Sequence, residues 1–112
     1  MTKYLLLYTA PAATREKMQS ATPEEMKEAM QPWMDWFGRV GANLVDKGMP
    51  LSHGVTVTKE DVLSGPAEYV GYNVIQAENL DAAIALAKDN PHMQREGAAV
   101  EVHEMMAMPG LE

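Results

Sequence analysis

Apolar residues cluster or alternate along four stretches of the chain in the manner of β-strands. The first stretch is a short apolar and aromatic run, too short for a helix, that is ended by Pro11. The second alternates through Val55 and Val57, and the Val62-Leu63 run that follows it predicts a hairpin extension. The predicted strands are residues 3–9, 51–58, 68–77 and 99–107.

A helical spacing of apolar residues begins after residue 21. Residues 22–25 (TPEE) are typical of a helix start, because Thr22 can cap the helix and Glu25 can complete a capping box. Apolar residues then recur at spacings of three and four up to the Lys47-Gly48 pair, which suits a helix end. We predict a helix that ends near Lys47 and is kinked or broken at Pro32. Its apolar stripe contains Met26, Met30, Trp33, Phe37, Val40 and Leu44, with the methionines expected to serve core or dimer packing.

A second helix is predicted after Asn79, which can cap its first turn, and it ends near Asn90 because Pro91 follows. The element order is therefore βαββαβ. This order consists of two βαβ-like halves. Arranged around one antiparallel sheet, they predict the ferredoxin-like α+β sandwich, with both helices on one face of the sheet.

The first strand predicts a partner for the other face of the sheet. Leu5 and Leu7 point to one side, while Tyr4, Leu6 and Tyr8 point to the other. An apolar sheet face without helices is an exposed patch, which in globular proteins usually marks an interaction surface. We therefore expect a homodimer in which a second copy covers this face.

The chain resembles the YCII-related (DGPF-like) proteins in motifs that follow one another in the expected order. These motifs are residues 3–8 (KYLLLY), 22–25 (TPEE), 33–38 (WMDWFG), 71–75 (GYNVI), 80–83 (LDAA) and 100–102 (VEV). The resemblance implies the dimeric α/β-barrel form of the ferredoxin-like fold, in small bacterial proteins mostly without an assigned activity. Relatives of this barrel act on compact hydroxylated aromatics and lactones.

Two departures from the family pattern concern chemistry. Many relatives have Asp-Gly-Pro-Phe after the hairpin, where residues 64–67 of this chain are Ser-Gly-Pro-Ala. Other relatives have a histidine, paired with an aspartate, at the start of the first long helix, where this chain has Thr22-Pro23-Glu24. The resemblance therefore implies the fold and does not carry over that acid–base pair.

Length, charge and amino-acid composition limit the classes of protein to which the chain can belong. The 112 residues carry a net charge of −7 and are 46% hydrophobic, which fits one globular domain over residues 1–112. The absence of cysteine excludes disulfides and thiolate metal sites and favours a reducing cytoplasm. Because the charge is acidic and the apolar runs are short, we expect neither nucleic acid nor a membrane as a partner.

Five residues are candidates for a ligand-binding site. His103 and Glu101 share one face of the last strand, so the carboxylate can orient the imidazole for proton transfer. Tyr8 and Asn73 are polar groups within buried strands, which either bond each other's backbones or line a wet cleft, and we expect the cleft. His53, at the start of the second strand, is a candidate for the mouth of that cleft, and its neighbour Ser52 points the other way.

No motif for a cofactor is present, and the two candidate histidines lack the spacing of a metal site, so we predict neither a cofactor nor a metal. His92 follows Pro91 and is expected to have a role in the turn. We therefore expect a homodimer that binds a small apolar or hydroxylated metabolite, with or without acid–base chemistry. The alternative is a non-catalytic dimeric interaction or structural module.

Overall fold

The computed structural model describes residues 1–52, 54–64 and 68–111. The helices are α1 (Ala12–Gln19), α2 (Pro23–Val40) and α3 (Leu80–Lys88). Short 3-10 turns follow α2 and α3 at Gly41–Asn43 and Pro91–Gln94. The strands are β1 (Thr2–Thr9), β2 (Leu44–Asp46), β3 (Val55–Val57), β4 (Val62–Ser64), β5 (Tyr69–Ala77) and β6 (Ala99–Glu104).

The main sheet has four strands in the order β2-β5-β1-β6, and every neighbouring pair is antiparallel. The two central strands, β1 and β5, are also the two that the sequence marks most clearly as buried. Strands β3 and β4 form a separate two-stranded sheet. The order and direction of the four strands confirm the predicted ferredoxin-like α+β fold.

The register of β1 assigns residues to the two faces of the main sheet. Tyr4, Leu6 and Tyr8 are almost completely buried, whereas Leu5 and Leu7 are half-buried. Residues opposite one another in an antiparallel ladder share a face. The helix-covered face therefore also carries Asn73, Ile75, Val100 and Val102, and the open face also carries Tyr72, Val74, Glu101 and His103.

The helix-covered face is covered by α3 and by the second half of α2. Trp36 and Val40 of α2 and Ala83 and Ala87 of α3 are buried in one cluster with the side chains of β1. Indole Nε1 of Trp36 donates a hydrogen bond to the Leu86 carbonyl oxygen over 3.1 Å. This bond fixes the two helices relative to each other while the aromatic ring fills the core.

Two helix starts are confirmed at the level of their caps. The hydroxyl of Thr22 accepts from the Glu25 amide over 3.1 Å, and Glu25 accepts from the Thr22 amide over 3.0 Å. These bonds lower the pKa of the Glu25 carboxyl below its usual range. The side chain of Asn79 caps α3 by accepting from the Ala82 amide over 2.9 Å.

The predicted end of α2 is wrong by about two turns. The helix ends at Val40 because Gly41 takes a positive φ of 60°, a conformation that glycine adopts without strain. Gly48, which suggested a later end, has a different use. A Cβ there would lie 1.7 Å from the Tyr72 carbonyl oxygen, so only glycine lets this loop approach β5 so closely.

The chain between Gly41 and Gly48 contains a strand that the helical spacing of apolar residues did not predict. Leu44–Asp46 is β2, and it takes the sheet position expected for residues 51–58. Among the described residues of that predicted strand, Val55–Val57 forms a strand, and it pairs with β4 outside the main sheet. The last strand ends at Glu104 and not at residue 107.

Two further features of the helices differ from the sequence pattern. α1 has no buried residue and no apolar stripe, which is why the sequence pattern did not predict this helix. α2 runs through Pro32 as one helix, so of the two predicted alternatives, a kink and a break, the break is wrong. All residues of its first half, 23–31, are exposed. Met26, Met30 and Met34 are about half exposed, so they do not pack in the core of this chain.

Candidate functional site

A network of four polar side chains, the buried network, lies on the helix-covered side of the sheet and consists of Tyr8, Asn73, Asn90 and His92. The Tyr8 hydroxyl donates to Oδ1 of Asn73 and accepts from Nδ2 of Asn90 over 2.8 Å. Nδ2 of Asn73 donates to the Lys47 carbonyl oxygen over 2.6 Å. The network therefore connects β1 and β5 to the loop after β2 and to the turn after α3.

His92 completes this network from the 3-10 turn. Its backbone amide donates to Oδ1 of Asn90, and its Nε2 lies 2.8 Å from the Thr9 carbonyl oxygen. Because a carbonyl only accepts, Nε2 must carry the proton. The imidazole also contacts the ring of Tyr8, edge to face, with centroids 5.2 Å apart. The expected turn role of His92 thus agrees with its position in the structure.

Burial shifts the titration of two groups in the buried network. It raises the pKa of the Tyr8 hydroxyl well above its usual range, so this group stays protonated and keeps donating. It also lowers the pKa of His92, and the positive charge of Arg95 lowers it further, while the bond to Thr9 opposes the change. The network is consequently neutral near pH 7.

A second polar cluster, the open-face cluster, consists of Tyr69, Glu101 and His103 on the other side of the sheet. Nε2 of His103 lies 2.8 Å from Oε1 of Glu101. The Tyr69 hydroxyl donates to Oε2 of Glu101 in a long bond of 3.4 Å. The negative charge of Glu101 raises the pKa of Tyr69, which keeps that hydroxyl protonated. All three side chains remain exposed to solvent.

The open-face cluster borders an apolar surface. In the register of the sheet, His103 lies opposite Leu5 and Glu101 lies opposite Leu7. On the other neighbouring strand, β5, Tyr72 lies opposite Leu7 and Val74 lies opposite Leu5. A row of half-buried apolar side chains therefore runs beside a carboxylate and an imidazole.

The structure divides the five predicted site residues between these two clusters. Tyr8 and Asn73 lie together in the buried network, where their polar groups bond within the chain. Glu101 and His103 lie together on the open face, as the alternation of β6 predicted. His53 lies outside the described residues. A single chain thus does not bring the four described candidates into one cleft, because the sheet itself separates them.

Three residues of these clusters were not among the predicted ligand-binding residues. From the sequence, Asn90 is predicted to end a helix, and for His92 a role in the turn is favoured over a ligand role. Tyr69 reaches Glu101 diagonally across β1, helped by the bulge that shifts the register between Tyr8 and Thr9. The strand pattern gave no signal for this contact, because a bulge adds a residue that simple alternation does not anticipate.

A cleft of about 580 Å³ opens where β1 ends and α1 begins. Arg15 and Glu68 bring opposite charges to it, and Nη1 of Arg15 donates to the Ala10 carbonyl oxygen over 2.9 Å. The remaining lining residues are Thr9, Pro11, Ala12 and Gly97. None of the four described candidate residues lines this cleft.

Within residues 1–52, 54–64 and 68–111, no group of three or more histidine, cysteine or carboxylate side chains is arranged to hold a metal ion. Among the same residues, no helix has both the length and the apolar character needed to cross a membrane.

Comparison with known proteins adds a likeness of fold. No family model matches the chain, and no curated protein matches it. Its structure is similar to that of 5-chloro-2-hydroxyhydroquinone dehydrochlorinase from Burkholderia phenoliruptrix AC1100, solved in complex with 2,5-dihydroxybenzoquinone. The TM-score is 0.57 at 12% sequence identity, over 95% of this chain and 94% of that one. At this identity the likeness concerns the fold alone.

Proposed function

We propose that this chain is a YCII-related protein that forms a homodimer through the open face and binds a small hydroxylated ring compound at the open-face cluster. The observation that carries the proposal is the 2.8 Å pair of Glu101 and His103 beside Leu5 and Leu7, on a sheet face without helices. A second copy laid over this face would enclose the ligand between two sheets and exclude water from the polar pair.

The geometry of the pair defines the proton transfer that it could perform. Since the Glu101 carboxylate accepts, Nε2 of His103 carries a proton, and Nδ1 is the basic atom of the neutral ring. A ligand hydroxyl next to Nδ1 would transfer its proton there, which leaves an oxyanion on the ligand and an imidazolium on the protein. Glu101 stabilises that imidazolium, and Tyr69 orients Glu101 from its other oxygen.

The fold comparison supports the chemical class of the ligand. The dehydrochlorinase of similar fold was solved with 2,5-dihydroxybenzoquinone, a flat ring that carries hydroxyl and carbonyl oxygens. A ring of this kind matches a surface of leucine side chains bordered by an acid–base pair. The proposal needs no bound cofactor, because an acidic hydroxyl and an imidazole suffice for the proton transfer.

The test is an NMR titration of the histidine side chains with 2,5-dihydroxybenzoquinone. We expect the imidazole resonances of His103 to shift and its titration to change, while the resonances of the buried His92 stay in place. Because the chain has no cysteine, the quinone cannot form a thiol adduct that would imitate binding. Glu101→Gln keeps the shape of the site and removes its charge, so it is the matched variant and should weaken the effect.

Three results would contradict the proposal or a part of it. An unchanged His103 signal would exclude binding at the open-face cluster, and shifts of equal size at His92 would indicate a nonspecific effect of the quinone. Light scattering after size exclusion should give about twice the chain mass of 12.3 kDa, whereas a monomer would exclude the dimer.

A non-catalytic dimeric module is the alternative, and one observation favours it. Strands β3 and β4 present exposed valines that suit protein contact better than ligand binding. If the chain is a dimer in solution and His103 does not respond to the quinone, this alternative is the better account.

A further inference from the structure

The hairpin of residues 55–64 is built as a defined arm outside the main sheet. Val55 pairs with Ser64 and Val57 pairs with Val62. Its tip is held by hydrogen bonds between Thr58 and Asp61, from the Thr58 amide to the Asp61 carbonyl over 2.8 Å and from the Asp61 amide to the Thr58 hydroxyl over 2.9 Å. The arm is therefore shaped by its own turn.

One face of this arm is apolar and uncovered. Val55, Val57 and Val62 share it, because they lie opposite one another or two residues apart, and they are 65%, 71% and 62% exposed. Thr56 and Leu63 occupy the reverse face. An isolated two-stranded hairpin is marginal in water at best, and an apolar face left in solvent does not help it fold. Packing the valine face against another surface would therefore stabilise the hairpin.

The area of the whole chain indicates how large that surface is. The chain exposes 7973 Å², whereas a compact monomer of 12.3 kDa exposes about 6,100 Å². Its radius of gyration is 15.4 Å, against about 13 Å for a compact domain of this length. The surplus is about 1,900 Å² per chain, or about 3,800 Å² for two chains, which is in the range of roughly 2,000–5,000 Å² that obligate homodimers bury in total.

The open face cannot account for this surplus alone, because Leu5, Leu7 and Val74 are already half-buried in the single chain. The largest exposed apolar fractions lie elsewhere, and the valine face of the arm is prominent among them. The arm starts from the edge of the main sheet. Pro50 bridges to Gly71, and the Leu51 amide donates to the Val70 carbonyl oxygen over 3.0 Å, which anchors its base beside β5.

We propose that the β3–β4 arm packs its valine face onto a second copy of this chain, so that each subunit of the dimer holds the other with its arm. This inference rests on the homodimer proposed above and adds a second contact to it, independent of the ligand site. An exchange of arms around a two-fold axis removes the valine face of both copies from water at once, which fits the size of the surplus.

Single cysteines at Val57 and Thr56 test the arm. The chain has no cysteine of its own, so each variant, Val57→Cys or Thr56→Cys, carries one thiol at a known face of one strand. The rate of reaction with Ellman's reagent is measured in the dimer and in a monomer obtained by dilution or by Leu7→Glu. We expect the thiol of Val57→Cys to react about tenfold more slowly in the dimer, and that of Thr56→Cys to keep its rate.

The outcomes separate the two proposals. Equal rates for Val57→Cys in a protein that light scattering shows to be a dimer would overturn the arm contact and leave the proposed function standing. Slowing at both positions would also overturn it, since the protection would then not be specific to the valine face. A wild-type chain that stays monomeric would overturn both dimer contacts, while the His103 titration would still report on the ligand site.

A charge substitution gives a second measurement. Val57→Asp should raise the dissociation constant of the dimer about tenfold or more, because it places a carboxylate in an apolar contact. Thr56→Asp adds the same charge on the reverse face and is the control. Equal dissociation constants for the two variants would contradict the arm contact.

Discussion

The two faces of the main sheet differ in the burial of their polar side chains. On the helix-covered face, Tyr8, Asn73 and Asn90 are buried and bonded to one another or to the backbone. On the open face, Glu101 and His103 form a pair that solvent still reaches. Buried polar groups must find partners in the chain or they destabilise it, so the first group is explained by the fold. The exposed pair can be hydrated by water instead, so the fold does not explain it, and it is the pair that we propose for the ligand site.

The leucines of β1 give the largest test of this comparison. Leu6→Ala should lower the free energy of unfolding by about 2–5 kcal/mol, because the side chain is fully buried among the helices. Leu5→Ala, the next residue on the open face, should cost about 1 kcal/mol or less in the monomer. Urea denaturation at one low protein concentration compares the two, and equal losses would mean that the faces are not distinct.

Two tyrosines sharpen the contrast for polar groups. Tyr8→Phe leaves Oδ1 of Asn73 and Nδ2 of Asn90 without their partner, so we expect a loss of about 2 kcal/mol or more. Tyr69→Phe removes an exposed hydroxyl and should change stability by about 0.5 kcal/mol at most. Thermal and urea unfolding of both variants supply the measurement. A stable Tyr8→Phe protein would show that the buried network is dispensable for folding.

The pH dependence of stability reports on His92. Its pKa is lowered in the folded state, so the unfolded chain binds the proton more readily than the folded chain does. Stability should therefore fall as the pH decreases through 6.5, the usual value for histidine, towards the lowered pKa of the folded state. His92→Gln can still donate to the Thr9 carbonyl oxygen and does not titrate, so this part of the pH dependence should disappear. An unchanged profile would contradict the assignment.

The smallest effect is expected at Pro32 of α2, because this residue is exposed. Pro32→Ala restores an amide that can donate to the Glu28 carbonyl and removes the clash of the ring, while the unfolded chain gains freedom. We expect stability to be unchanged or to rise by about 1 kcal/mol in chemical denaturation. A loss of more than about 1 kcal/mol would mean that the proline shapes a packing contact of α2.

The same comparison explains which predictions from the sequence succeeded. The caps at Thr22 and Asn79 were predicted correctly because a cap depends on three or four neighbouring residues. The face of Glu101 and His103 was predicted correctly because alternation with Val100 and Val102 fixes it. The methionines of α2 were assigned to a stripe that continues past the edge of the core, and periodicity cannot show where a core ends.

The sequence by itself determined the order of the main elements, the caps of two helices and the alternation of β1 and β6, since these depend on local chemistry and on the period of side chains. Tertiary structure decided the rest. It made Leu44–Asp46 the edge strand, set β3 and β4 apart as an arm, and joined Tyr8 to Asn73, Asn90 and His92. It also separated Tyr8 and Asn73 from Glu101 and His103 by the sheet. Contacts between residues 65 or 82 positions apart depend on how strands and helices pack, which no local pattern records.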